Sequence, residues 1–116
     1  MIIKEIAQTP AAPVEAEGAQ NVRVRVLLGP QDQAPTFALR LFELGPGGCT
    51  PWHSHPFEHE IIIEQGELTA VTEQGEQPLR VGQVVLVQPD EKHQFRNRSV
   101  TQPARMFCLV PVQYQK

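Results

Sequence analysis

Three of the four histidines in this 116-residue chain, His53, His55 and His59, fall within one run of seven residues. All three occupy odd positions. On an extended backbone His53 and His55 therefore point to one side, about 6.5–7 Å apart at Cα. His59 keeps that parity if the strand runs on through Pro56 and Phe57. Each neutral imidazole offers a nitrogen lone pair, so three converging from one face are a usable set of metal ligands. Crowded together without a metal they would gain nothing and would repel one another when protonated. A single histidine in a polar loop would carry no such reading. His93, just after Pro89-Asp90-Glu91, reads by itself as an ordinary histidine at the start of a strand.

The elements that must hold these side chains read as short strands. Val22, Val24, Val26 and Leu28 alternate with Arg23, Arg25 and Leu27, the pattern of a half-buried strand. Further runs follow at Thr36 to Leu44, Glu58 to Glu64, Glu67 to Thr72, Val84 to Val87, Gln94 to Asn97 and Ala104 to Val110. Gly45-Pro46-Gly47-Gly48 is the strongest turn signal between them. No stretch carries a capped helical stripe, and short strands at this spacing predict an all-β sandwich or barrel. Residues 1–20, an apolar start followed by a Pro/Ala/Glu segment, read as an arm leading into a domain over 21–116.

Composition narrows the functions available. A chain of 116 residues with 41% hydrophobic and 20% charged residues is a one-domain globular protein with a real core. A net charge of −3 leaves no electrostatic footprint for nucleic acid or for an anionic membrane surface. Lys4 and Glu5 interrupt the apolar start where a signal peptide would need an unbroken run, and no segment has the length to span a bilayer. Cys49 and Cys108 are too few for a disulfide scaffold. The expected setting is cytoplasmic, and the expected partner is a small molecule.

Two stretches resemble a known family. Gly47-x5-His53-x-His55-x3-His59-x6-Gly66 is similar to the first motif of the cupin superfamily, with His59 where most members carry Glu. Gly82-x5-Gln88-x-Asp90-x2-His93-x3-Asn97 is similar to the second, with Gln88 and Asp90 replacing the usual Pro and Gly. Within the superfamily, HSHPFEHE and the ending FCLVP resemble small single-domain bacterial cupins with an all-histidine site. The resemblance covers roughly Arg40 to Pro111. It implies an antiparallel jelly-roll (double-stranded β-helix) barrel in which His53, His55, His59 and His93 bind one divalent metal. It also implies a homodimer, which would cover the exposed strand edges of so small a domain. Asn97, following the second motif, is expected to hold the strand or turn after His93.

Four neutral ligands leave the full charge of the dication in place, which favours an anionic or oxygen-donor ligand in the remaining positions. Imidazole suits Zn, Cu, Fe and Ni and tolerates Mn; the resemblance favours Mn or Fe, with Zn or Ni also compatible. Arg40 either packs its stem outward or lines the pocket as an anion contact, and Cys108 is either a small buried hydrophobe or a cavity-facing thiol. These two are the candidate catalytic residues. Cys49 is expected as a partly buried thiol that binds no metal. Trp52, Glu58 and Glu60 have the opposite parity and are expected outside the lumen. The leading expectation is an oxygenase-like or oxidoreductase enzyme acting on a small molecule. A metal-dependent isomerase or lyase and a non-catalytic small-ligand module are the alternatives. The isomerase is disfavoured because, once the histidines are assigned to the metal, no Lys, Tyr or His remains as an obvious base: the one Tyr is Tyr114, and the Lys are Lys4, Lys92 and Lys116.

Overall fold

The computed structural model describes residues 1–115; the expected end of the barrel, residue 116, lies outside them. Nine strands follow one another: β1 (Ala12–Pro13), β2 (Gln20–Leu28), β3 (Phe37–Cys49), β4 (His59–Gln65), β5 (Leu68–Thr72), β6 (Gly75–Pro78), β7 (Val84–Val87), β8 (His93–Asn97) and β9 (Ala104–Pro111). Every pairing is antiparallel, and the order β6-β5-β8-β3-β9-β4-β7, with β1 and β2 added beside β3, makes one continuous curled sheet. There is no α-helix among the described residues, only three 3₁₀ turns, so the all-β jelly-roll expectation holds. Among the described residues no helix is long and apolar enough to cross a membrane.

The core follows the two-residue period. Ala104, Met106, Cys108 and Val110 of β9 point inward, Ile61 and Ile63 of β4 lie beside Cys108 and Met106 on the same face, and Val22, Ala38, Leu44, Leu68, Val87 and Phe95 complete the cluster. His59 shares the inward parity of Ile61 and Ile63. On β2 the simple alternation fails: a register shift between Val26 and Leu28 buries Leu27 and leaves Leu28 exposed. An irregularity of one residue reverses which side chain faces the core.

Gly45-Pro46-Gly47-Gly48 is a bend inside β3, not the turn that ends it. Before it Leu44 pairs with Ala104 of β9, and after it Cys49 pairs with Arg96 of β8. The strand thus changes partner at a corner of the sheet. β1 and β6 carry no sequence signal for strands. Ala12–Pro13 is too short for a pattern, and Gly75–Pro78 is the exposed return of a hairpin whose Gly75 marked it as a turn.

The corner is locked by Asn97, which is 2% exposed. Its Nδ2 donates to the carbonyls of Leu44 and Gly45 at 3.1 Å each and of Gln102 at 2.8 Å, while its Oδ1 accepts the Ser99 N–H at 3.0 Å. That role matches the expectation for the end of the second motif. Asn97→Ala would leave buried carbonyls without donors. It should destabilise the fold by about 3 kcal/mol in a denaturant titration, with a loss below about 1 kcal/mol counting against this account.

Candidate metal centre

The loop from Thr50 to Glu58 brings the histidines together, although not by strand parity. Pro51 and Pro56 cannot donate to a ladder, and β4 begins only at His59. His53 instead forms an isolated bridge with His93: its N–H donates to the His93 carbonyl at 3.1 Å, and the His93 N–H donates back at 2.9 Å. His55 is tied to the second motif as well, its carbonyl accepting the Asp90 N–H at 2.7 Å. Asp90 adopts φ 65° at the position where the resemblance expects Gly. Asp is one of the few residues that tolerate this left-handed region, so the turn keeps its shape despite the replacement. Glu91 closes it by accepting the Gln88 N–H at 3.1 Å.

The ring centroids of His53, His55 and His93 are 4.9–5.1 Å apart pairwise. One ligand atom of each lies within 4.8 Å of the other two, close enough to share one ion. His59 stacks on His55 at 4.3 Å and lies 5.5 Å from His93. Hydrogen bonds select the ligating atoms. Nδ1 of His55 is 2.7 Å from the Phe57 carbonyl, and Nδ1 of His93 is 2.7 Å from the Glu91 carbonyl. A carbonyl only accepts, so both Nδ1 atoms carry the proton and both Nε2 atoms keep the lone pair. Nδ1 of His59 lies 2.9 Å from the Cys108 sulfur. The Nε2 atoms of His55 and His59 are buried with no hydrogen-bond partner among the described residues. Buried acceptors left unpaired cost stability, and a divalent cation is the partner this donor set fits.

These groups open on a cavity of about 180 Å³. Val14, Phe42, Phe57, Phe95 and Met106 form much of its wall, and Arg40 is its charged lining residue, with no Asp, Glu or Lys among the described residues that line it. Burial is the largest cause lowering the pKa of His53, to about 4, with His93, His55 and Arg40 adding positive charge. Burial likewise leads for His59, pushed down to about 2, followed by Arg40 and the other histidines. His55 is also lowered, mainly by burial, although the Phe57 carbonyl opposes the shift. The rings therefore stay neutral, as ligands must.

Arg40 and Cys108 both come to this site. Arg40 Nη2 donates to the Cys108 sulfur at 2.9 Å, and its guanidinium carbon sits 4.8 Å over the Phe42 ring. Trp52 is 39% exposed under Lys92, and Glu58 and Glu60 are exposed. Cys49 is buried, its sulfur 3.5 Å from the Gly18 carbonyl and away from the histidines. Two features had escaped the sequence. Val14 and Ala16, in the N-terminal segment, line the cavity. Tyr114 stacks on Phe57 at 4.1 Å, which stacks on His55 at 4.0 Å, so the C-terminal turn buttresses a candidate ligand. Phe57 stands between the histidines of the first motif, which is its one sequence signal; Tyr114 had no local signal.

Residues 40–110 match the model of the cupin domain family. The chain is a cupin. Polyketide cyclase RemF from Streptomyces resistomycificus superposes with a TM-score of 0.91 at 30% identity, covering 97% of this cupin and 80% of that chain. Protein SchB of Streptomyces halstedii is 30% identical over 91 residues, which are 77% of this cupin and 66% of that protein, just under two thirds of its length. A predicted oxalate decarboxylase from Thermotoga maritima has a TM-score of 0.83 at 18% identity, covering 96% of this cupin and 99% of that chain, a likeness of fold alone.

The depressed histidines make the stability of the metal-free protein depend on pH. Between the ordinary histidine value of 6.5 and about 4, the unfolded chain binds protons that folded His53 and His59 refuse. Metal-free stability should be highest above pH 6.5 and fall as the pH drops toward 4. Chemical denaturation across that range should show the slope, reduced in H59Q. A flat profile in the wild type would contradict rings that stay neutral in the fold.

Proposed function

We propose that this cupin is a metal-dependent enzyme that activates a small, largely apolar oxygen-bearing substrate, with a 1,3-dicarbonyl compound as the substrate class and ring closure as the reaction type. The observation that carries this reading is a set of oriented imidazole nitrogens facing an apolar cavity that no carboxylate or amine lines. His53, His55 and His93, with His59 as fourth, would hold the metal. When bound, it supplies Lewis acidity that stabilises negative charge on a substrate oxygen. Phe42, Phe57, Phe95 and Met106 exclude water and shape the bound molecule. Arg40 adds positive charge beside the developing oxyanion. With the imidazoles committed as ligands, no general base remains among the described residues that line the cavity, so the substrate must bring an already acidic C–H, as a methylene between two carbonyls does, and lose its proton to solvent water. The likeness to RemF, whose name describes a polyketide cyclase, supports ring closure on such a chain.

The same lack of a base favours one second reading. An enolate is electron-rich enough to react with dioxygen without a proton shuttle, so oxygenase-like chemistry with Mn or Fe fits this pocket too. One experiment addresses both readings. A simple 1,3-diketone added to protein loaded with Zn²⁺, Mn²⁺ or Fe²⁺ should give an enolate absorption change that is lost in H55A. An oxygen-electrode trace that stays flat supports the non-redox reading, and uptake with Fe²⁺ or Mn²⁺ supports the oxygenase-like one. No absorption change with any of the metals would overturn the substrate class.

The expected homodimer has a natural surface. Ile62, Val84 and Leu86 are exposed on the outer face of β4 and β7, and with Leu39, Phe107 and Leu109 they line an apolar groove whose one charged residue is Glu60. β7 pairs only with β4, so its other edge is open. A nearly uncharged face with both projecting side chains and a groove can match itself across a twofold axis, so a second copy is the fitting occupant. Light scattering at micromolar concentration should give about 26 kDa, twice the 13.0 kDa chain. L86K should shift it toward monomer, and a wild-type monomer would remove the proposal.

A further inference from the structure

His59 stands apart from the other candidate ligands in two ways. It lies outside the group of His53, His55 and His93, whose donor atoms are within 4.8 Å of one another. Its Nδ1 also bonds a side chain, the Cys108 sulfur, where His55 and His93 use backbone carbonyls held by the turns around them. The register explains the contact. Cys108 is the direct cross-strand partner of both Arg40 on β3 and Ile61 on β4. His59 lies two residues before Ile61 on the same face, which makes it the diagonal neighbour of Cys108.

The sulfur therefore sits between two nitrogens, His59 Nδ1 at 2.9 Å and Arg40 Nη2 at 2.9 Å. The guanidinium can only donate. For His59 Nε2 to carry a lone pair into the cavity, its Nδ1 must donate as well, so one polarisable sulfur accepts from both sides. Arg40 is itself steadied by the Phe42 ring, and no ion pair holds it among the described residues.

We propose that Cys108, oriented by Arg40, is the positioning residue for His59, and that the centre consists of a three-histidine core plus a fourth, more weakly held histidine set by this sulfur. The inference rests on the metal reading above and adds a division of labour within it. A bidentate substrate could displace His59 while His53, His55 and His93 keep the ion.

The test measures Co²⁺ alone, by chelator competition and by visible d–d absorption, with the whole chain. C108V removes the acceptor and adds one methyl group at a fully buried position; C108S keeps an acceptor. C108V should weaken Co²⁺ binding by roughly 10–100-fold, the usual effect of losing an outer partner of a ligating histidine. It should also take on the d–d spectrum of H59A. C108S should retain wild-type affinity and spectrum. The C108V/H59A double variant should lose no more than H59A, whereas H55A should lose more than H59A. Additive losses, a wild-type spectrum in C108V, or C108S failing as badly as C108V would each overturn the proposal. If C108V does not fold, R40Q carries the test: its spectrum should move toward that of H59A, and an unchanged spectrum overturns the proposal. A wild-type protein that binds no Co²⁺ overturns the metal reading and this inference together. Wild-type binding with an unaffected C108V overturns only the latter.

Discussion

The two reciprocal backbone hydrogen bonds between His53 and His93 are the constraint on which the rest of the site depends. They join a proline-interrupted loop to a sheet strand 40 residues later, at a point where Pro51 and Pro56 prevent a regular ladder. The Asp90 N–H on the His55 carbonyl repeats the connection one step further out. Once these bonds are made, the backbones of His53, His55 and His93 are held close together, and the Nδ1 contacts of His55 and His93 orient two of the rings. The corner of β3, with Asn97 donating to three carbonyls, keeps β8 where that bridge needs it.

Around this frame the barrel imposes opposing demands. Its interior is built from aliphatic and aromatic side chains, yet its cavity is lined by four imidazoles, the exposed His53 among them, and a guanidinium, with no carboxylate among the described lining residues to compensate. Desolvation keeps His53, His55 and His59 neutral, which suits metal ligation. The fixed tautomers of His55 and His93 turn the cost of desolvating them into a preorganised donor set. Arg40 and Cys108 extend the polar network behind His59 and leave the apolar wall in front of it. A site of this composition favours a partner that supplies negative charge on oxygen and apolar bulk together.

Much of this was legible in the residues, and the failures have specific causes. The alternation from Val22 to Leu28, the short runs that became β4 and β9, and the two histidine motifs marked the barrel and its candidate ligands. The Gly45–Gly48 bend read as a turn because glycine and proline signal a break in direction equally well at a corner and at a strand end. Leu27 and Leu28 exchanged faces because a register shift is a property of the pairing and not of one strand. Tyr114 and Val14 reached the site from the two ends of the chain, where no local pattern relates them to His55.

Three histidines were conspicuous from the outset by their close spacing, and His93 joined them through the second motif, because clustering and motifs are local properties that a sequence carries openly. The sequence by itself determined an all-β chain, its short strands and the residues able to hold a metal. Only the tertiary structure decided that His53 meets His93 through backbone bonds, that His59 is set back from the other three, and that Arg40 and Cys108 share one sulfur contact behind it. Those relations depend on which strands become neighbours and in what register, and that choice is made by burying the whole core at once.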